Sequence, residues 1–312
     1  MTKYAERHRI ARNWRDGRFD VKLLDEHVDS IVAVRCSSDF VLTFSADCML
    51  RTWEPLRESC LTLTEAPYND ESFCVSFDGR QIVTGTRDST VTVWDVSQQA
   101  MVREFSGHTD IVTCVQADAR YVVSGSMDRT VRVWDAKLGR LERTIEGHTG
   151  TIKCLQFCSD ERRIMTGSED RSIRIWDLDS GEMCGLLAGH EKSVLCLAFD
   201  KDVIVSGAED IRVWSRASMT CTRVFSPSAD VWFTRVLFDA EHIVCTSSDS
   251  NVYVYDRATG DKIHELRGQR HEITCLDFDV ERIVTGSTDG TVKVWDFAVP
   301  ARGMTERIGR AR

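Results

Sequence analysis

The sequence predicts an all-β chain: a seven-bladed β-propeller of four-stranded antiparallel blades, closed by an N-terminal strand. Three observations carry this prediction. The string YVVSGSMDRTVRVWD, residues 121–135, returns as IVTGTRDSTVTVWD (82–95), RIMTGSEDRSIRIWD (163–177) and RIVTGSTDGTVKVWD (282–296). Its aspartate recurs at Asp47, Asp88, Asp128, Asp170, Asp210, Asp249 and Asp289, at spacings of 41, 40, 42, 40, 39 and 40 residues. The repeat is rich in Val, Ile and Thr and punctuated by Gly and Asp, which suits strands and turns rather than paired helices.

The elements follow in chain order. Residues 1–20 read as a basic linker with Lys3, Arg7, Arg9, Arg12, Arg15 and Arg18, and residues 298–312 as a basic flexible tail. Between them, residues 21–297 make the propeller. FDVKLLDEH before the first unit parallels RLERTIEGH before the fourth, while the last unit ends at VKVWDFA with no outer strand after it. Val21 to Leu24 is therefore expected to complete blade seven and latch the ring, which removes an exposed sheet edge. In the third unit, residues 120–126, Val131 to Ala136 and Leu141 to Ile145 read as strands, and Ile152 to Phe157 as the innermost strand of the next unit. Connections of a meander alternate ends, so the turn MDRT and the loop EGHTGT share one face.

That shared face brings histidines near aspartates. With a three-residue turn at Asp128, Arg129 and Thr130, Ser124 is expected across from Trp134. The indole N–H, the Ser124 hydroxyl, His108 and Asp128 then form one chain of hydrogen bonds, each group satisfying a partner that is costly to bury alone. The same set recurs as His148, Thr166, Asp170 and Trp176, and as His27, Thr43, Asp47 and Trp53. A Ser, His and Asp at fixed spacing superficially suggest a hydrolase, but the hydroxyl lies mid-strand, an indole claims it, and the set repeats. The chain has no phosphate-binding P-loop and no dinucleotide-binding Gly pattern, and HEITC at His271 lacks the second histidine of a zinc helix. No enzyme activity, cofactor or metal is expected.

Composition narrows the partners. The net charge of −9 and pI near 5.5 argue against broad nucleic-acid or anionic-membrane binding. No apolar run approaches the roughly 20 residues of a membrane helix. Residues 1–20 lack the apolar core of a secretory signal, so a cytoplasmic location is expected, with the nucleus also open. The 12 cysteines include no Cys-x-x-Cys pair, and Cys74, Cys114, Cys154, Cys196 and Cys275 share one repeat position, which reads as buried strand rather than metal ligand.

Through GH, VSGSMD and VRVWD as they stand here, residues 21–297 resemble the WD-repeat family. Departures stand at Tyr68 and Gln269, where histidine is expected, and at Ala229, Cys245 and Tyr255 in unit six, so those blades are expected to be looser. The segment HRIARNWRDGRF, residues 8–19, resembles the junction between F-box and propeller in the substrate receptors of Skp–cullin–F-box ubiquitin ligases. That resemblance implies a substrate-recognition propeller, the alternative being a general WD-repeat scaffold. An F-box needs several helices and only 13 residues precede Trp14, so docking on the ligase adaptor requires an F-box upstream. The resemblance also implies a protein or peptide ligand on the loop face, at Phe73, Arg87, Ile111, Met127, Lys153, Leu195 and Trp232. Phosphate recognition wants several forked cations, and these positions supply Arg87 and Lys153. A mixed site anchored by Phe73, Met127, Leu195 and Trp232 is therefore favoured.

Unit five breaks the pattern, since EDIRVW leaves three residues between Asp210 and Trp214 where five separate Asp128 from Trp134. The expectation there is a shortened or bulged hairpin, a displaced Trp214 and poor satisfaction of His190.

Overall fold

A computed structural model describes residues 2–37, 40–54, 59–65, 72–77, 81–98, 100–226 and 231–299. Tyr68, Ala229 and the tail beyond Val299 lie outside these. The described residues form seven four-stranded antiparallel sheets and a helix, Thr2–Asp16. Blade three is typical, with strands Val112–Ala117, Tyr121–Ser126, Val131–Asp135 and Arg140–Ile145 in spatial order from hub to rim. Neighbouring inner strands pack in a closed cycle, with Ile31–Cys36 of blade one against Ile273–Phe278 of blade seven. Asp20–Leu24 supplies the outer strand of blade seven, pairing Val21 with Trp295 and Leu24 with Val292. The ring thus closes on its N-terminal strand.

The apolar cores lie between blades. Trp134 packs with Val83, Val93 and Phe105 of blade two, and Trp176 with Tyr121, Val123 and Val133 of blade three. Each indole thus fastens its blade to the preceding one. At the hub, the shared cysteine position faces a glycine: Cys114 pairs with Gly125, Cys154 with Gly167 and Cys275 with Gly286. A Cβ on Gly125 would stand 2.8 Å from Cys114 Sγ and 2.7 Å from Ile152 Cγ2 of the next blade. Only a missing side chain lets three layers meet there. Burial pushes the Cys114 and Cys196 thiols up to about 12, which keeps them protonated and unreactive at neutral pH.

The helix is docked through its last turns. Trp14 is 2% exposed, stacks on Phe297 at 3.9 Å and on His242 at 4.4 Å, and donates Nε1–H to Val280 O at 2.8 Å. Asn13 donates to Phe297 O at 2.8 Å, and Ile10 joins the same apolar cluster. Residues 8–19 therefore brace blades six and seven.

The hairpin register differs from the sequence expectation. Ser124 pairs with Arg132, and Trp134 pairs with Val122. The last pair is Gly125 with Val131, so the connection runs over five residues, 126–130, not three. Arg129 takes a left-handed φ of 70° inside it, as Cys48, Ser89, Arg171 and Ser250 do after their own aspartates. The slip is two residues, so every side chain keeps its face. This also corrects unit five. There Gly207 pairs with Ile211 and Ile204 with Trp214, the regular register, and the two missing residues come wholly out of the connection. The hairpin is shortened, but Trp214 is not displaced: it is 2% exposed and donates to Ser206 Oγ at 2.8 Å.

Candidate functional site

The loop face is built from two connections per blade. In blade three, His108 precedes the inner strand and its Nδ1 lies 2.7 Å from Asp128 Oδ2 in the hairpin turn. Its Nε2 lies 2.8 Å from Ser124 Oγ, which accepts the Trp134 indole at 2.9 Å. Because an indole can only donate, the Ser124 proton goes to Nε2, and Nδ1–H then donates to Asp128. Blade four repeats this with His148, Asp170, Thr166 and Trp176 at 2.7, 2.7 and 2.9 Å. Blade one does so with His27, Asp47, Thr43 and Trp53, each contact at 2.8 Å. The aspartate also accepts the amide after the histidine, Thr109 N to Asp128 at 3.0 Å. The two connections are thereby tied at a fixed distance, a rigid platform for whatever the loops present.

Blades without the histidine improvise. In blade two Trp94 donates to Thr92 at 3.0 Å, and Thr92 pairs with Thr84 at 2.6 Å. In blade six the Tyr253 hydroxyl donates to Asp249 at 2.7 Å. In blade seven Gln269 donates to Thr285 at 3.2 Å, while its Oε1 and Ser287 Oγ are buried without a hydrogen bond.

The buried networks are titratable. Burial holds the His27 and His148 rings below the ordinary imidazole range, outweighing the nearby Asp47 and Asp170. Burial pushes Asp170 up, but hydrogen bonds from Ser172, His148 and Thr149 N overcome it and bring the carboxyl down to about 2. For the rings, the unfolded chain takes up protons near pH 6.5 while the folded chain resists, so their stabilisation is present above about pH 6.5 and lost as pH falls. For Asp170 the contribution is present above about pH 4 and lost as pH drops toward 2. The urea midpoint is therefore expected to fall already between pH 7 and pH 5, and further below pH 4. A midpoint flat from pH 7 to pH 5 would contradict this.

At the mouth of the hub the inner strands begin with β-bulges. The register shifts between Ser72 and Cys74, Val112 and Cys114, Ile152 and Cys154, Phe233 and Arg235, and Ile273 and Cys275. The extra residues are Phe73, Thr113, Lys153, Thr234 and Thr274; a bulge unpairs and re-aims such a residue. Thr113 Oγ1 donates to the carbonyls of Gly125 and Ile152, and Thr274 Oγ1 to those of Gly286 and Ile31, so these two stitch neighbouring blades. Lys153 pairs with Glu169 at 2.8 Å, and that hydrogen bond holds the Glu169 carboxyl below its usual range. Phe73 lies on the strand Ser72–Phe77, with its side chain outside the described residues. Leu195 is half-buried and bonds Gly207 O through its amide at 2.9 Å. Met127 and Ile111 are half-buried neighbours, Met127 N bonding Ile111 O at 2.9 Å, and Arg87 is exposed. Trp232 stands apart from the buried indoles at 53% exposure, its carbonyl accepting Ser248 N at 2.9 Å.

Sequence reasoning missed Arg235. It occupies the hub position held by cysteine in blades two, three, four, five and seven, opposite Thr246 instead of a glycine. Burial raises the thiols of Cys74, Cys114, Cys154, Cys196 and Cys275, and the Arg235 guanidinium opposes that rise in all five, which places positive charge at the centre of the ring. The signal was available, since unit six carries Arg and Thr at the pair of positions where five units carry Cys and Gly.

A family profile described as "WD domain, G-beta repeat" matches residues 66–95, 99–135, 139–177 and 260–296. These four stretches, just under half of the chain, are similar to WD40 repeats. The matched stretches carry the three inner strands of blades two, three, four and seven; the residues outside them include the shortened hairpin of blade five and the Tyr255 substitution of blade six. The pre-mRNA-splicing factor cwf17 of Schizosaccharomyces pombe is 26% identical over 86 residues, 28% of this chain and 25% of that protein. Mitochondrial division protein 1 of Kluyveromyces lactis is 31% identical over 114 residues, 28% of this chain and 16% of that protein. Nuclear distribution protein nudF of Aspergillus niger is 30% identical over 99 residues, 30% of this chain and 22% of that protein. The matches thus span a quarter or less of each of these relatives. The crystal structure of the computationally designed Ika8 protein superposes with a TM-score of 0.74 at 26% identity, covering 88% of this chain and 98% of that one.

Proposed function

We propose that this WD40 propeller is a protein-interaction scaffold whose loop face holds an unphosphorylated protein segment anchored on Trp232. The carrying observation is the exposure of that indole. Trp14, Trp53, Trp134, Trp176, Trp214 and Trp295 are each 3% exposed or less, whereas Trp232 is 53% exposed beside the loop face. Exposed aromatic anchors carry a disproportionate share of interface energy. The tie between Lys153 and Glu169 weighs against phosphate as the main determinant, because a phosphate would displace an existing partner. The relatives named above carry splicing, mitochondrial division and nuclear distribution in their names, which favours a scaffold in a multiprotein assembly.

Trp232→Ala is expected to weaken partner binding by about 2 kcal/mol or more with the circular dichroism spectrum unchanged. A photo-crosslinking residue at position 232 should identify the partner, and calorimetry with that purified partner measures the loss. Equal binding by the variant would move the interface off this face. Arg87→Glu separates the phosphate alternative: it should dominate over Trp232→Ala only for a phosphorylated ligand.

The narrower reading, substrate receptor of a ubiquitin ligase, is favoured by one observation, the resemblance of residues 8–19 to the F-box junction, together with the docking of that segment through Trp14. An F-box in the upstream transcript and co-purification of an Skp-type adaptor would support it; a transcript without one would leave the scaffold reading.

A further inference from the structure

The shortened hairpin of blade five leaves a buried histidine nitrogen and a buried carboxylate oxygen without a hydrogen bond, where the His–Asp pairs of blades one, three and four are satisfied. In blade three both Asp128 oxygens are occupied, by His108 and Thr109 N on one side and by the amide and hydroxyl of Thr130 on the other. Blade five lacks the Arg and Thr of that turn. Asp210 instead faces Arg212, whose Nε lies 3.2 and 2.9 Å from its two oxygens. Glu209 takes over the loop amide, accepting Glu191 N on Oε1 at 2.8 Å, and its Oε2 is buried without a hydrogen bond. His190 is 6% exposed, and its Nε2 contacts Ser206 Oγ at 2.7 Å as in the other blades. Its Nδ1 lies 2.7 Å from Asp210 Oδ1 yet out of line for a hydrogen bond, so this buried nitrogen is unsatisfied, unlike those of His27, His108 and His148. One ligand atom from each of His190, Glu209 and Asp210 lies within 4.8 Å of the others.

We propose that His190 Nδ1, Asp210 and Glu209 form a divalent-cation site of the zinc type. Zinc takes imidazole nitrogen and carboxylate oxygen at about 2.0–2.2 Å, so neighbouring ligand atoms stand roughly 3.3 Å apart around a tetrahedral ion. The His190–Asp210 contact opens by a fraction of an ångström and Glu209 Oε2 draws in. Two carboxylates against the one Arg212 guanidinium leave net negative charge for a dication to neutralise. Coordination requires a bare Nδ1, so metal binding moves the ring proton from Nδ1, where the blade-three pattern puts it, to Nε2, which then donates to Ser206 Oγ beside the Trp214 indole; a ligating histidine ordinarily donates its second nitrogen in this way. The ion would replace, in blade five, the tie that a hydrogen bond makes between the two connections elsewhere.

Zn²⁺ and Co²⁺ are the probes, titrated into the purified, tag-free chain. The expected result is one equivalent bound by calorimetry, visible Co²⁺ absorption of a nitrogen and oxygen site without a thiolate charge-transfer band, and a change in the emission of Trp214, whose ring lies 5.9 Å from that of His190. Glu209→Gln keeps the amide contact and should weaken binding at least ~10-fold. Inserting Arg-Thr after Asp210 restores the five-residue connection of blade three and should abolish binding, while leaving a chain that folds in the presence of a chelator. Absence of binding, a thiolate band, or affinity unchanged in both variants would overturn the site.

Discussion

A chain lacking residues 1–26 is expected to melt far below the intact protein or to aggregate. Two separate contributions go with that segment. The first is the outer strand of blade seven, Asp20–Leu24, whose loss exposes the unpaired edge of Val292–Asp296 and offers it to another chain. The second is Trp14, buried between Phe297 and His242 with its N–H bonded to Val280 O. Truncating a buried tryptophan costs about 3–5 kcal/mol, because the indole area is lost and the cavity collapses only in part. A domain has only about 5–15 kcal/mol in total. Trp14→Ala alone should therefore lower the urea midpoint strongly while leaving the ring closed. Deletion of residues 1–18 should resemble Trp14→Ala, and deletion of 1–26 should go further and add aggregation. If both deletions melt where the intact chain does, the strand is not a latch.

The fold was legible because its signal repeats. Seven aspartates near a period of 40 leave few alternatives, and the parallel between FDVKLLDEH and RLERTIEGH located the closing strand from sequence alone. The hairpin register was not legible, for a definite reason. Three- and five-residue connections put the same side chains on the same faces, so alternation cannot tell them apart. The expected displacement of Trp214 came from that ambiguity: with a three-residue regular turn, two deletions leave no room to turn, while with a five-residue one they leave three residues, 208–210, which suffice. The docking of residues 8–19 was hidden differently. Trp14 meets Phe297 and His242 only once the ring has closed, and no periodicity in an arginine-rich helix announces such a contact. The loop-face positions could be counted off the repeat, but their chemistry could not. Nothing in the sequence says that Lys153 is tied to Glu169 or that the Thr113 hydroxyl serves Ile152 O.

Gly286→Ala should destabilise the ring by about 1–3 kcal/mol, although it adds a single methyl group. Gly286 pairs with Cys275 inside blade seven and faces blade one across the seam where the ring closes. A Cβ there would lie 2.3 Å from Ile31 Cγ2, 2.6 Å from Ile31 Cβ and 2.7 Å from Cys275 Sγ. The Cys275 contact is with the end of a side chain, and Cys275→Ala should recover part of the loss. The Ile31 Cβ contact is different, because that atom moves only with the backbone of blade one, and blade one is held in turn by the strand Asp20–Leu24 and by the His27–Asp47 tie. Relief therefore requires opening the seam. The double variant Gly286→Ala, Cys275→Ala should sit between the single Gly286→Ala variant and the parent, and its coupling should be clearly non-additive, as expected of atoms in direct contact. The same pairing explains why glycine accompanies cysteine in blades two, three, four, five and seven, while blade one pairs Ala33 with Phe44 and blade six pairs Arg235 with Thr246. A urea midpoint for Gly286→Ala equal to that of the parent would mean that the blades can separate at the hub without loss, and the close packing read there would be wrong.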